Sequence, residues 1–251
     1  MTTWTERAYS EISKERLQHP SYDRAIRRLF QSAAVALPGE VIVLVGPSRV
    51  GKTSAIQEAM HQTVGEPPSL TTKPSIRVVV DNMSTSGQFS TKAFCRQILQ
   101  ALEHPIHGTS SVDDDVALRL DLQFHRVPEG MLHDAIERAL RNQKTRFVVF
   151  DEVQHVKYAR GGLRAAAAIL DSWKCLAQKT GVVLILVGSY ELLDHLTHVP
   201  HLLGRMHLVE FAPYLISNRA DREDFAQVLT TWSRLIRFER KEVSLRTWGN
   251  R

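Results

Sequence analysis

Residues 46–53 read GPSRVGKT and follow directly the apolar run VIVLV at residues 41–45. The octapeptide matches the pattern Gly-x-x-x-x-Gly-Lys-Ser/Thr at every fixed position. Its glycines allow backbone amides to wrap around an anion, and a helix that begins at Lys52 directs its positive end at the same anion. A buried strand, a glycine loop and a helix in this order predict a phosphate-binding loop, and these flanks disfavour a chance match.

The loop assigns distinct roles to its residues. Lys52 is expected to reach the β and γ phosphates of a nucleotide, and the Thr53 hydroxyl is expected to bind Mg²⁺. Arg49 stands where many such loops carry glycine, which changes the dynamics of the loop but not its anion cradle. The residues expected to contact the nucleotide are Gly46, Pro47, Ser48, Arg49, Val50, Gly51, Lys52, Thr53 and Ser54.

Five short apolar or β-branched runs alternate with longer segments of helical spacing. Runs that are apolar on both faces indicate a parallel sheet that is covered on both sides, so the pattern predicts a doubly wound α/β fold. The predicted strands are residues 41–45, 76–80, 147–150, 182–187 and 206–211. The predicted helices are residues 22–36, 52–63, 91–102, 131–142 and 163–179.

The pattern changes after residue 211, where a helix rich in arginine and acidic residues is predicted over 221–242. We expect a main domain over residues 1–212, including an N-terminal helical segment. A short helical lid with a basic tail is expected over residues 213–251. The proline-bearing stretches 66–74 and 104–115 are expected to be surface loops.

An acidic pair, Asp151 and Glu152, follows the predicted strand at residues 147–150 and forms a Walker B arrangement. Asp151 is expected to hold the Mg²⁺ of a bound nucleotide. Glu152 is expected to orient and polarise the attacking water as a general base. Adjacent carboxylates also cap helices or face solvent, but the upstream phosphate loop disfavours that interpretation here.

Two further residues are expected to act on the γ-phosphate. If the strand at residues 182–187 lies between the phosphate-loop strand and the Walker B strand, Ser189 comes close to the γ-phosphate and positions the water; an ordinary serine in a strand-to-helix turn is the alternative. Arg205 precedes the last strand and is expected to reach the γ-phosphate of a neighbouring subunit. The alternative for Arg205 is a surface arginine at the C-terminal end of a helix.

Composition excludes several classes of protein. The 251 residues are 43% hydrophobic and 24% charged, which is typical of a folded globular chain. No apolar run is long enough to span a bilayer, and the first residues lack the apolar core of a signal peptide, so we expect no membrane association and a cytoplasmic location. Cys95 and Cys175 lie far apart in predicted helices and are interpreted as small buried apolar residues.

Contacts to DNA are predicted from a polar segment around the expected helix start at Thr91. Hydroxyls, backbone amides and basic side chains there suit phosphate contacts, and the candidate residues are Thr91, Lys92 and Arg96. An ordinary capped surface helix with solvated charges is equally consistent with the segment. The basic cluster RAIRRL at residues 24–29 is better interpreted as a solvated helix face or a subunit contact, and the net charge of +5 is compatible with polyanion binding without proving it.

Over roughly residues 22–214 the chain resembles the TniB/TnsC group of AAA+ transposition regulators. Walker motifs are shared by all AAA+ proteins, whereas DEVQH at residues 151–155 and LVGSYEL at residues 186–192 are more selective. The likeness rests on GPSRVGKTS at residues 46–54, FVVFDEVQHV at 147–156, LDSWKCLAQKTGVVLILVGSYELL at 170–193 and LLGRMHLVEFAPY at 202–214.

This resemblance implies an AAA+ core, a P-loop NTPase with a five-stranded parallel sheet between helices, and ATP and Mg²⁺ as cofactors. Members of the group look like ATPases that polymerise on duplex DNA, mark a target site and contact a transposase, and some work with CRISPR-guided target selectors. The implied partners are therefore duplex DNA, further copies of the chain in a ring or helical filament, a transposase and, in some members, a selector protein. The implied roles are nucleotide binding for residues 46–54, Mg²⁺ binding and hydrolysis for Asp151 and Glu152, sensing for Ser189 and a trans-acting finger for Arg205.

One departure concerns the lid. Past residue 221 about one long helix is predicted, whereas AAA+ lids usually contain several, so a lid-borne sensor arginine has only Arg234 and Arg237 as nearby candidates. Two other functions stay open at this point. One is a replication-type ATPase that loads a helicase or clamp, and the other is a signalling switch in which nucleotide gates protein contacts and DNA plays no part.

Overall fold

A single parallel sheet carries the fold in the computed structural model, which describes residues 19–65, 72–81, 87–106, 124–199, 204 and 206–235. All neighbouring strands run parallel. The strands are β1 (Val41–Val45), β2 (Ser75–Val79), β3 (Phe147–Asp151), β4 (Val183–Gly188) and β5 (Met206–Glu210). Their order across the sheet is β2-β3-β4-β1-β5, so β4 lies between β1 and β3.

Helices precede the first strand, occupy the connections between the strands and follow the last strand. A 3₁₀ helix, Val153–Tyr158, follows β3 directly. The α-helices are α1 (Pro20–Val35), α2 (Lys52–Val64), α3 (Thr91–Ala101), α4 (Glu129–Asn142), α5 (Gly162–Thr180), α6 (Glu191–Thr197) and α7 (Arg219–Leu235). Among the described residues, no helix is both long enough and apolar enough to cross a membrane.

Burial follows the position of each strand in the sheet. Every residue of the inner strands β1, β3 and β4 is buried, whereas the edge strands β2 and β5 also carry partly or fully exposed residues. Inner strands of a sheet covered on both faces have no solvent side, which is why their sequences are continuously apolar. Arg77 on β2 and Glu210 on β5 place charges at the two edges, which disfavours pairing with another sheet.

An aromatic cluster fills the core on one face of the sheet. Phe150 of β3 lies 4.9 Å from Phe94 of α3 and 4.7 Å from Trp173 of α5, measured between ring centroids. Both pairs meet edge to face, the arrangement that the ring quadrupoles favour. Val41, Val43 and Val45 of β1 belong to the core on the same face as these rings. Ile42 and Leu44 alternate with them along β1 and are equally buried, so the sheet has a core on both faces.

The predicted fold class is confirmed, and the predicted strands and helices that fall within the described residues are present with ends shifted by no more than two positions. α4 begins two residues earlier than predicted. The prediction started the helix too late because Gly130, a poor helix former, lies in its first turn. Residues 66–71 and 107–115 of the expected loops, and residues 236–242 of the last predicted helix, lie outside the described residues. The interpretation of Cys175 as buried is wrong, because this residue lies on an exposed face of α5, while Cys95 is buried.

Two compact units divide the chain. Arg24–Pro213 form the larger unit, which contains the whole sheet. The described residues on either side of it, 19–23 and 214–235, belong to the smaller unit. Within the smaller unit, the phenol of Tyr214 lies 2.6 Å from Nδ1 of His19 and its ring packs on Phe225.

Candidate nucleotide-binding site

The glycine loop joins β1 to α2 and is held against the neighbouring edge strand. A Cβ atom added to Gly46 would lie 2.7 Å from the carbonyl oxygen of Phe211 and 2.9 Å from its Cβ, so no residue with a side chain fits there. Gly51, directly before α2, has φ of +95°, in the left-handed region that glycine adopts without strain. These two positions explain why the motif requires glycine at both ends of the loop. Ser54, the last residue predicted to contact the nucleotide, lies in the first turn of α2.

Lys52 is buried within this loop. Its Nζ donates hydrogen bonds to the carbonyl oxygens of Gly46, at 3.0 Å, and Pro47, at 2.7 Å. Burial lowers the pKa of Lys52 from its ordinary value, and the negative charges of Glu152 and Asp151 oppose that shift. Two neutral carbonyls are weaker partners for an ammonium group than a phosphate oxygen, so an incoming phosphate competes well for Lys52.

Asp151, at the end of β3, joins three parts of the site through its buried carboxylate. Its Oδ2 atom accepts a hydrogen bond from the Thr53 hydroxyl at 2.8 Å and forms an ion pair with Nη2 of Arg77 at 2.8 Å. Its Oδ1 atom accepts from the backbone N–H of Glu152 at 2.9 Å. Because a buried carboxylate is stable only when donors surround it, these contacts fix the position of Thr53 relative to β3. The Thr53 hydroxyl and the Asp151 carboxylate are hard oxygen donors of the kind that Mg²⁺ takes.

Glu152 follows in a strained backbone conformation. Its φ of +59° lies in the left-handed region, which costs a residue with a side chain about 1 kcal/mol or more. The side chain of Gln154 makes two hydrogen bonds. Its Nε2 group donates to the Glu152 carboxylate, and the Oε1 atom of Gln154 accepts from the backbone N–H of Ser189 at 3.1 Å. A Cβ atom on Gly188 would lie 2.8 Å from that Oε1 atom, so the glycine at the end of β4 makes room for the bridge.

Ser189 lies directly after β4, between the strand that leads into the glycine loop and the strand that ends at Asp151. Its Oγ atom is buried and has no hydrogen-bond partner within the described part of the chain. A buried hydroxyl without a partner is costly, and such groups in native structures commonly contact a water or a ligand. The arrangement gives the site a free polar atom beside the carboxylate pair.

Comparison with known proteins agrees with this geometry. The family model of the AAA domain matches residues 38–196, well over half of the chain. The chain belongs to the AAA domain family. Membership of this family of P-loop ATPases indicates nucleotide binding and ATP hydrolysis. No curated protein sequence matches the chain.

Solved structures share the fold of this AAA domain protein, among them the two that follow. A Walker-type ATPase of Pyrococcus abyssi matches with a TM-score of 0.55 and 18% identity over 84% of this chain and 57% of its own. The Orc1 protein of Aeropyrum pernix, solved in complex with DNA, matches with a TM-score of 0.53 and 14% identity over 86% of this chain and 50% of its own. The chain therefore spans about half the length of both proteins, and at these identities the likeness shows the fold alone.

Other predicted residues of the AAA domain protein lie elsewhere. Arg205 and Arg237 are outside the described residues, and Arg234 lies in the last turn of α7. The candidate DNA contacts Thr91, Lys92 and Arg96 are on α3, where Thr91 is the first helical residue.

The basic residues of α3 are held around one aromatic ring. Lys92 donates from Nζ to the carbonyl oxygen of His125 at 2.8 Å and lies 5.9 Å from the centroid of the Phe124 ring. Arg96, one turn further along, places its Cζ atom 5.0 Å from the same centroid. Ser90 caps the helix by accepting from the backbone N–H of Ala93 at 3.3 Å. The capped-helix interpretation therefore describes the local structure, and both cations lie on one side of α3.

Two residues of the candidate site escaped the sequence analysis. Arg77 gave only a weak signal, because an arginine at an exposed position of an edge strand can also lie in solvent. Its role depends on the register of the sheet, which places it opposite Val149, two residues before Asp151. Nothing in the sequence indicated the role of Gln154 beyond its place in the DEVQH stretch. That role is a hydrogen bond to the backbone of Ser189, which follows 35 positions later in the chain.

We expect Arg77→Ala to lower the free energy of unfolding of the nucleotide-free protein by about 1–3 kcal/mol. The substitution removes two donors from the buried Asp151 carboxylate, while Thr53 and the N–H of Glu152 remain; the loss is moderated because the Arg77 side chain is one-third exposed. Urea unfolding measures the change. Arg164→Ala, at an exposed position of α5, is the matched control and should change stability by less than about 0.5 kcal/mol. Equal losses in both variants would contradict a structural role for the Arg77–Asp151 ion pair.

Proposed function

We propose that this protein is an ATP-dependent DNA-binding regulator of transposition. It assembles on duplex DNA, marks a target site and recruits or activates a transposase, and ATP hydrolysis drives its disassembly. The observation that carries the nucleotide-dependent part is the 2.8 Å hydrogen bond between Thr53 of the phosphate loop and Asp151 of the Walker B strand. The step from an ATPase to a transposition regulator is supported by the sequence resemblance to the TniB/TnsC group.

Nucleotide binding is assigned to the loop at residues 46–54. Its backbone N–H groups and the positive end of α2 receive the phosphates, and Lys52 exchanges its two carbonyl partners for phosphate oxygens. Thr53 and Asp151 would hold Mg²⁺, which would supply positive charge to the phosphates of the bound nucleotide. Arg77 then balances the remaining charge of the Asp151 carboxylate from its other side.

Hydrolysis is assigned to three neighbouring residues. Glu152 takes a proton from the attacking water at its carboxylate. Gln154 holds that carboxylate and, at the same time, the backbone of Ser189, so the general base and the tip of β4 keep a fixed relation. The unpaired hydroxyl of Ser189 positions the water or a γ-phosphate oxygen.

Assembly is assigned to Arg205. An arginine that reaches the γ-phosphate of a neighbouring copy stabilises the transition state in that copy, so hydrolysis depends on assembly. Such a head-to-tail contact uses different surfaces on the two partners. It closes into a ring or continues as a helical filament according to the rotation between copies.

DNA binding is assigned to the basic face of α3. Thr91, Lys92 and Arg96 are suited to phosphate contacts, which carry no base specificity, and Phe124 holds both cations in place. A contact of this kind depends on repetition, because each copy in an assembly adds a few phosphate contacts. The excess of 32 basic over 27 acidic residues favours the same polyanion.

A replication-type loader ATPase is the second candidate. It is favoured by the fold shared with Orc1 of Aeropyrum pernix, whose structure contains DNA. DNA-stimulated, salt-sensitive ATPase activity would support both candidates over a signalling switch without DNA. A transposase gene beside the gene for this protein would favour transposition over loading.

Lys52→Ala and Glu152→Gln should separate binding from hydrolysis. Lys52→Ala is expected to weaken nucleotide binding by at least about 10- to 100-fold, since a hydrogen bond to a charged group contributes about 1.5–3 kcal/mol. Glu152→Gln is expected to keep binding and to slow turnover by about 10²- to 10⁴-fold, the usual contribution of a general base. Titration with a fluorescent ATP analogue and phosphate release measure the two effects. Equal loss of binding in both variants would contradict these roles.

Gln154→Ala should lower the turnover number by about 10- to 100-fold through misplacement of Glu152. Nucleotide affinity and melting temperature are expected to stay close to those of the unmodified protein, because the hydrogen bonds of Gln154 go to Glu152 and Ser189, whereas Lys52 and Thr53 bond to other groups. Gln57→Ala, at an exposed position on α2, is the control and should leave turnover unchanged. A fall in affinity equal to the fall in turnover would show that Gln154 supports the loop instead.

Assembly on DNA is tested by electron microscopy of protein, duplex DNA and a slowly hydrolysed ATP analogue. We expect rings or filaments that require both nucleotide and DNA. Replacing Lys92 and Arg96 together by alanine should weaken DNA binding while nucleotide binding persists. The slope of log affinity against log salt concentration should become shallower by the amount expected for the loss of about two phosphate contacts. Arg138→Ala with Arg164→Ala, two exposed positions that remove the same charge, is the matched control. Absence of nucleotide-dependent assemblies with the unmodified protein would contradict the proposed function.

A further inference from the structure

Cys95 of α3 and two side chains of α4, Glu129 and His133, lie close together, and none of the three is among the residues assigned to the nucleotide. The Sγ atom of Cys95 lies 3.8 Å from Nε2 of His133, and Oε1 of Glu129 lies 3.9 Å from the same nitrogen. All three candidate ligand atoms lie within 4.8 Å of one another. Within the described ranges, this is the only group of three or more histidine, cysteine or acidic side chains close enough to hold one metal ion.

The helices bring these atoms together for a simple reason. Glu129 and His133 are four residues apart, so they lie on the same face of α4, one turn from each other. Cys95 is on the buried face of α3, where it faces His133. The side chains of Glu129 and His133 remain 45% and 38% exposed, so two of the three donor groups are open to solvent.

We propose that Cys95, Glu129 and His133 bind a zinc ion or a similar transition-metal ion, with solvent as the fourth ligand. Sulfur, imidazole nitrogen and carboxylate oxygen are the three donor types that Zn²⁺ takes in proteins. Ligands around tetrahedral Zn²⁺ lie roughly 3.5 Å apart, so the two separations from His133 Nε2, 3.8 and 3.9 Å, need to close by only a few tenths of an ångström. The sulfur and the Glu129 carboxylate lie within 4.8 Å of each other and close further as the ion binds.

The donor set separates this site from the magnesium site of the nucleotide. Mg²⁺ takes oxygen ligands and keeps several waters, whereas two of the three donors here are nitrogen and sulfur. His133 presents Nε2 to both of the other groups, so this nitrogen would bind the ion in the tautomer that carries its proton on Nδ1.

Binding exchanges a proton for the metal ion. Burial raises the pKa of Cys95 to about 12, and the charge of Glu129 contributes to the rise, so the free group is a neutral thiol. A metal–sulfur bond forms as the thiol proton leaves to solvent, and the ion places positive charge beside Glu129.

A bound ion would cross-link α3 and α4 next to Lys92 and Arg96, the basic residues of α3. Cys95 stands directly before Arg96 and three residues after Lys92 in the helix. The site therefore limits movement of the helix that is proposed to contact DNA; this consequence rests on the proposed function, whereas metal binding itself does not. The two are distinguished because the experiment below uses neither nucleotide nor DNA.

Cobalt titration of the full chain, free of nucleotide, tests the site. Co²⁺ bound by a thiolate gives a sulfur-to-cobalt charge-transfer band in the near ultraviolet, which oxygen sites such as the Mg²⁺ site lack. We expect one equivalent of Co²⁺ to produce this band and Zn²⁺ to remove it. Cys95→Ser should abolish the band, and Cys175→Ser, which removes the exposed thiol of α5, should retain it.

His133→Ala is the second variant, chosen because its partly exposed side chain can be removed with little effect on packing. Its affinity for Zn²⁺ should fall at least about tenfold, and Zn²⁺ should no longer raise its melting temperature as it does that of the unmodified protein. This variant decides the question if Cys95→Ser fails to fold. No charge-transfer band with the unmodified protein, a band that survives in Cys95→Ser, or an unchanged Zn²⁺ affinity in His133→Ala would each overturn the proposal.

Discussion

The buried carboxylate of Asp151 is the constraint on which the candidate site depends. A charged group with 1% of its surface exposed is stable only when hydrogen-bond donors surround it. Asp151 obtains these donors from α2 through Thr53, from the edge strand β2 through Arg77 and from the backbone of Glu152. One side chain therefore links the phosphate loop, the end of the inner strand β3 and the sheet edge, and displacing any of the three leaves part of a buried charge unpaired.

The fold was accessible from the sequence because its signals are local. The inner strands are continuously apolar as a consequence of burial on both faces, and the phosphate loop is encoded by eight consecutive residues. The Gly46 contact with Phe211 shows why one of those residues is glycine, although the sequence alone does not reveal the neighbour.

The parts of the site that depend on pairing across the sheet were less accessible. Arg77 and Asp151 are 74 positions apart, and Gln154 meets the backbone of Ser189 across 35 positions. The role predicted for Ser189 was conditional on the strand order, and β4 does lie between β1 and β3. Neither pairing follows from periodicity, because periodicity fixes which face a residue occupies and not which residue of another element it meets. The prediction for Cys175 failed for a different reason: its burial was inferred from the usual preference of cysteine for the interior and not from its position on α5.

The left-handed backbone of Glu152 has a consequence for the history of this chain. A glycine at that position would adopt the same φ of +59° and would remove the backbone strain from the folded protein. It would also delete the carboxylate that stands beside Gln154 and Asp151. Selection for stability alone would therefore favour glycine in place of Glu152. A descendant that keeps the fold but carries glycine here would be one in which the carboxylate is no longer required.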